Sequence, residues 1–200
     1  MATTAAPYGL KAVNLIGGQP YAGSTRQIKI ASGYNVNIFN GSVVSIVAAG
    51  TLELVTTIGT AASKFPAGTV GVFVGCSYTD PNTKQKLFKQ YWPAGTVASD
   101  AVAYVIDDPD VVFQIQADGT VPQTALGANA PLANVQSTST GDTATGNSNV
   151  ALDATVAQTE AAFRIVDFVD STTSSVGDAY TDVLVKFNGV NHGYNNGTGI

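Results

Sequence analysis

From Leu10 to Ile115 the chain runs in short stretches of Val, Ile, Thr, Tyr and Phe, set between Gly, Pro, Asn and Asp. Branched and aromatic runs broken by turn residues read as strands. Strands are expected over Arg26–Ile30, Asn37–Phe39, Ser42–Val47, Thr51–Thr57, Thr69–Tyr78, Lys84–Trp92, Ala101–Asp107 and Val111–Ala117. Several alternate with period two. Ile28 and Ile30 share one face. Val111, Phe113, Ile115 and Ala117 point one way, and Val112, Gln114 and Gln116 point the other, the pattern of a sheet with one wet face. Two more strands are expected at Phe163–Val169 and Asp182–Phe187.

The turn residues agree with this spacing. Asn40-Gly41 and Asp118-Gly119 are two-residue hairpin signals, and Asp80-Pro81-Asn82 opens a turn before the Lys84 strand. Phe65-Pro66-Ala67-Gly68-Thr69-Val70 is echoed by Trp92-Pro93-Ala94-Gly95-Thr96-Val97. Six residues are too few for a duplication, so one turn solution used twice is the ordinary explanation. A weak helix is expected at Asp153–Ala162, where an acidic start leads into Ala-rich sequence.

The pattern as a whole is all-β, with at most one short helix. An antiparallel β-sandwich or barrel fits it, with room for a small C-terminal lobe. The chain divides into an N-terminal arm at 1–9, a main β domain at 10–117, a polar low-complexity loop at 118–149 and a β segment at 150–200. The polar tract is Thr, Ser, Ala, Gly and Asn with a few isolated Val and Leu. Loops of that length inside a compact domain are uncommon unless functional, and this one is expected to order against a neighbouring subunit.

Composition narrows the function. Of 200 residues only 12 % are charged, while 44 % are hydrophobic, which excludes a disordered polyelectrolyte. No apolar run reaches the ~20 residues of a membrane-spanning helix. MATTAAPYGL has neither the charged start nor the apolar stretch of a signal peptide. The net charge of −5 hides a split. Residues 1–99 hold seven basic groups and two acids (Glu53, Asp80), for +5; residues 100–200 hold two basic groups (Arg164, Lys186) and twelve acids, for −10. Either the fold mixes the two halves or it keeps a polar assembly surface.

Candidate chemistry is thin. The one histidine, His192, sits among Gly and Asn and reads as a surface or interface residue rather than a catalytic base. The one cysteine, Cys76, lies in an apolar strand and reads as a small buried hydrophobe. Asp107, Asp108 and Asp110 form a solvated turn, or at most a weak site for a hard cation. The stretch Gly18–Thr25 touches the P-loop pattern, but Ser24 stands where the lysine is required. Lys84, Lys86 and Lys89 interleave with Phe88, Tyr91 and Trp92; alternation over Lys84–Trp92 puts Lys84, Lys86, Phe88, Gln90 and Trp92 on one face. With a pI near 4.5, a protein interface or plain sheet surface suits that stripe better than nucleic acid. No catalytic residue and no cofactor are expected.

Three stretches carry a resemblance. They are Gly9–Tyr34, Gly71–Pro109 and the C-terminal FRIVDFVD and VGDAYTDVLVKFNGVNHGY, together about half the chain. Their texture is similar to structural proteins of tailed bacteriophages, especially those of marine bacteria, in the head decoration, cement or minor capsid class. The resemblance implies a non-enzymatic virion protein, made in the bacterial cytoplasm and carried on the phage head. It implies the major capsid protein as partner, further copies of itself in a homotrimer, and neither nucleic acid nor membrane. Under that reading the expected contacts are Tyr8, Leu10, Tyr21, Arg26, Phe88, Tyr91 and Trp92. A tail, neck or fibre-base protein shares the composition. A carbohydrate-binding β-sandwich stacking sugars on Tyr78, Tyr91 and Trp92 is the alternative from another class.

Overall fold

A computed structural model describes residues 4–155 and 160–200. Its strands are β1 (Lys11–Leu15), β2 (Arg26–Lys29), β3 (Val43–Ile46), β4 (Leu52–Leu54), β5 (Thr69–Thr79), β6 (Lys86–Lys89), β7 (Val102–Ile106), β8 (Val111–Gln116), β9 (Asn129–Ala130), β10 (Phe163–Phe168) and β11 (Asp182–Phe187). The helical pieces among the described residues are single 3-10 turns at Gln123–Ala125 and Gly189–Asn191. Two antiparallel sheets form a sandwich. The first has the order β1-β8-β11-β10-β9. The second has the order β2-β7-β5-β3-β4, with β6 added beside the far end of β5.

Between the sheets lies one core. Val72 and Ile106 of the second sheet meet Phe113, Ile115, Phe163, Val185 and Phe187 of the first. Phe187 is its hub, with ring centroids 4.7 Å from Phe163 and 5.8 Å from Phe113. The second sheet has another core on its opposite face, where Ile28, Phe73, Tyr78, Trp92, Ala103 and Val105 cluster. β5 is therefore buried on both faces, and TVGVFVGCSYT reads as an almost unbroken apolar run for that reason. β11, covered on one face, alternates cleanly through Val183, Val185 and Phe187.

Several expectations are corrected. Val112 and Gln116 are buried, although alternation places them on the wet face. The N-terminal segment crosses that face: the Ala6 N–H donates to Gln116 Oε1 at 2.8 Å, and Tyr8 Oη donates to Asp182 at 3.1 Å. The described part of the arm is thus hydrogen-bonded to its own chain. It crosses the 40–41 turn at two glycines. A Cβ on Gly9 would lie 2.8 Å from the Gly41 carbonyl oxygen, and one on Gly41 would lie 3.0 Å from the Leu10 nitrogen. Asn40-Gly41 does turn, with Ser42 N–H donating to the Phe39 carbonyl. Only Gly41 has positive φ (+91°), which is the type II pattern; the strand-matching type I′ turn needs two, so no tight hairpin follows. The helix expected at Asp153–Ala162 falls partly on residues 156–159, outside the described residues, and the flanking residues carry no helical turn.

The tract 118–149 packs in part on the core: Val121, Ala125, Ala130 and Leu132 are buried, while Leu126 and Val135 are exposed. Gln136 is 1 % exposed and acts as a polar plug. Its Oε1 accepts from Val43 N–H at 2.9 Å, while Nε2 donates to the carbonyls of Val43 (3.2 Å) and Val55 (2.9 Å). The tract is thus hydrogen-bonded to β3 and to the segment after β4 of its own chain.

Candidate functional site

The expected contact residues part company in three dimensions. Trp92 and Leu10 are core residues, 0 % and 2 % exposed, and neither can serve as a surface anchor. For Trp92 the phase is lost because β6 ends at Lys89, and Gln90-Tyr91 turn the chain inward. The indole then packs edge-on against Tyr78 at 5.5 Å, with Nε1 donating to the Tyr34 carbonyl. Tyr78 is buried too, so a sugar platform of Tyr78, Tyr91 and Trp92 does not exist. Tyr91 is half-buried and stacked on Phe39, ring centroids 5.7 Å apart.

Phe88 stays outside, 73 % exposed. The ladder explains its setting. β2, β7, β5 and β6 carry Lys29, Val102, Ser77 and Phe88 in one straight row, each opposite the next. Tyr104 sits beside the row, its hydroxyl 3.2 Å from Ser77 Oγ. Lys86 follows Phe88 on the same face and pairs with Asp100 at 2.8 Å. The hairpin behind this face is fastened by Asp80, whose Oδ1 accepts from Asn82 and Thr83 N–H groups. Those bonds hold its carboxyl below the usual carboxylate range. The result is an edge that carries a large exposed ring with lysines beside it.

Arg26 and the acidic turn belong together. Arg26 pairs with Asp107 at 3.3 Å, and Tyr194 Oη donates to the same Asp107 oxygen at 2.7 Å while touching the guanidinium. Burial, then Asp107, pushes the Tyr194 hydroxyl up to about 12. Asp108 accepts from the Asp110 N–H, and Asp110 pairs with Lys186 at 2.7 Å. The three carboxylates therefore face different partners, and among the described residues no three His, Cys, Asp or Glu side chains converge on a cation position. The weak metal site of Asp107, Asp108 and Asp110 is withdrawn on that geometry.

His192 is 1 % exposed, not a surface residue. Its ring packs edge-on between Phe187 (5.6 Å) and Tyr194 (5.2 Å), and Nδ1 accepts from the Tyr194 N–H. Burial lowers its pKa, against an opposing pull from Asp107. Cys76 is buried beside the Tyr91 carbonyl, and burial pushes its thiol up to about 12, far from a nucleophilic thiolate.

A second surface was not foreseen from the sequence. A cleft of about 570 Å³ opens beside β1, between the two sheets. Tyr8 and Tyr21 line it together with four carboxamides, Asn40, Gln90, Gln114 and Asn147. Tyr21 is half-buried, and burial, with Asp107 and Asp108 nearby, raises its pKa. Three expected contact residues are thus brought together here, Tyr8, Tyr21 and the largely buried Leu10, while Phe88 stands elsewhere on β6. No single residue among the amides carries a signal in sequence; only the fold assembles them.

The architecture defines the class, an antiparallel β-sandwich. No family model matches the chain, and neither a curated protein nor a solved structure is similar enough to it to match. No helix among the described residues is long and apolar enough to cross a membrane.

Proposed function

We propose that this chain is a non-enzymatic structural protein of a tailed-phage particle, a head decoration or cement protein that binds the major capsid protein and further copies of itself as a homotrimer. The observation that carries the reading is the Phe88 face. A ring 73 % exposed on a fastened edge, with Lys29 and the Asp100-paired Lys86 along the same face, offers an aromatic anchor to a partner. Burying it is worth about 2 kcal/mol per copy, and symmetry multiplies a modest contact over a shell. The similarity of three segments to phage structural proteins supplies the class of partner. The lysines around Phe88 suit an acidic shell surface.

The test is the protein content of purified particles of the encoding phage. Copy numbers on the order of hundreds, matching a shell lattice, support a head cement protein. A few dozen copies or fewer move the chain to a tail, neck or fibre base. Absence from the particle, or heads that are equally stable once stripped of it, refutes the reading.

A further inference from the structure

Two strand-like contacts build the wall of the cleft beside β1. Asn40 and Asn147 face each other across a parallel bridge, with Asn40 N–H donating to the Gly146 carbonyl and Ser148 N–H donating to the Asn40 carbonyl. Gln90 is set against the same wall, close enough that a Cβ on Gly146 would lie 2.8 Å from its own Cβ. Three of the cleft's four carboxamides are thus gathered at one place from three distant parts of the chain; the fourth, Gln114 on β8, is engaged with Tyr8 and Asp182. None of the three side chains has a hydrogen-bond partner among the described residues. Each offers two donors and a carbonyl acceptor. Behind them Val74 and Ile106 give an apolar floor, and Tyr21 closes one side.

We infer that this cleft is a binding site for a neutral oligosaccharide, held by the carboxamides of Asn40, Gln90 and Asn147 over the Val74–Ile106 floor and beside the Tyr21 ring. Sugars present hydroxyls around an apolar C–H face. Amides that donate and accept suit the hydroxyls, and an aromatic wall with an aliphatic floor suits the C–H face. The volume lies within the roughly 300–1,000 Å³ of small-ligand sites. The charge balance fits a neutral ligand. Lys11 stands at the rim, no Asp or Glu lines the cleft, and Asp107 and Asp108 are near enough to Tyr21 to oppose an incoming anion. The polar tract 118–149 thereby gains a role, since it supplies Gly146 and Asn147.

The experiment is a proton–nitrogen correlation titration of the intact 20.4 kDa chain. The probes are maltose, cellobiose, lactose and di-N-acetylchitobiose, each to about 10 mM, a range that reveals a Kd near 1 mM. A disaccharide containing a uronic acid is the anionic control. Saturable shifts of the Asn40, Gln90 and Asn147 side-chain amides with at least one neutral probe support the site. Gln90→Ala with Asn147→Ala should weaken that binding at least about tenfold, with an unchanged melting temperature because both side chains are exposed. The proposal is overturned if no neutral probe shifts these three amides, if the shifts persist unchanged in the double variant, or if only the anionic control binds. None of these outcomes bears on particle content, so this site and the virion reading fail separately.

Discussion

Gln136→Leu tests whether the polar tract is part of the fold. The substitution keeps bulk but removes three hydrogen bonds at a side chain that is 1 % exposed. The Val43 carbonyl keeps the Val55 N–H at 3.1 Å, so two groups are orphaned: the Val43 N–H and the Val55 carbonyl. Each buried orphan costs about 1–3 kcal/mol, offset by about 1–2 kcal/mol from the buried apolar side chain, which leaves a loss of about 3 kcal/mol. For a chain of this size that lowers Tm by about 6–12 °C. Trp92, the one tryptophan, is fully buried and reports unfolding by fluorescence in urea or heat. Gln136→Glu adds a second handle. Its carboxylate can accept from Val43 N–H but faces two carbonyls with no proton to give, so its folded pKa lies above the usual ~4.3. A raised acid contributes stability that is fully present below its unfolded pKa and lost as pH rises through the folded one, so this variant should recover on acidification. If Gln136→Leu melts within about 0.5 kcal/mol of the parent, the tract is a passenger and the plug argument is wrong.

Gly71 has φ +142°, and a Cβ there would lie 1.9 Å from the Ile106 carbonyl oxygen across the β5–β7 ladder; Gly71→Ala should cost at least about 3 kcal/mol in a urea melt. Phe88→Ser should leave thermal stability within about 0.5 kcal/mol, since the ring is exposed, yet abolish recovery with particles in a sedimentation assay; retained binding sinks the anchor role. Burial depresses the His192 pKa below its ordinary 6.5. Folded and unfolded chains are both neutral above that value, so stability is level there. Below it the unfolded chain takes up the proton first, and stability falls until the folded pKa is passed. His192→Phe should flatten the slope between neutrality and about pH 5.5, read from urea midpoints; an unchanged slope assigns it to other groups. Asp182, raised chiefly by burial, acts in the opposite sense, gaining stability as pH falls toward 3.8.

How much of this was legible depended on whether local period and tertiary covering agreed. Asp182–Phe187 matches its observed strand residue for residue, because one face is core and the other is only partly covered along its whole length. β1 escaped notice: Lys-Ala-Val-Asn-Leu has no sharp alternation, and a bulge between Ala12 and Asn14 breaks its register with β8. The Pro-Ala-Gly echo was readable as a turn, since Thr69 and Thr96 both donate to the proline carbonyl three residues earlier. It stops there, because Val97 is 64 % exposed where Val70 is core. Trp92 was misplaced by carrying period two through two residues that lie beyond the strand. In the tract 118–149 composition says little, because a few buried residues (Val121, Ala125, Ala130, Leu132) and the Gln136 bonds fix it to the core while Leu126 and Val135 stay exposed. The Asn40, Gln90 and Asn147 grouping had no local signal at all, being made by a parallel bridge and one glycine contact.

The split in charge is explained by topology. The second sheet is built wholly from residues 26–106, and the first from β1 and residues 111–187. Chain order thus maps onto layers, although most of the acids lie in loops: the strands of the second sheet hold Arg26, Lys29, Lys86 and Lys89 against Glu53, while those of the first hold Lys11, Arg164 and Lys186 against Asp167 and Asp182. Ion pairs cross between the halves at Arg26–Asp107 and Lys64–Glu160 without erasing the difference. Such exposed pairs add little stability, so the asymmetry is not explained by what it does for the fold. Its consequence is directional. The Phe88 face lies on the sheet that holds Lys29, Lys86 and Lys89, whereas the strands of the other sheet mix Asp167 and Asp182 with Lys11, Arg164 and Lys186. With only 12 % of residues charged, a partner of the proposed kind would be oriented by the four cations on the second sheet's strands and held by apolar and amide surface.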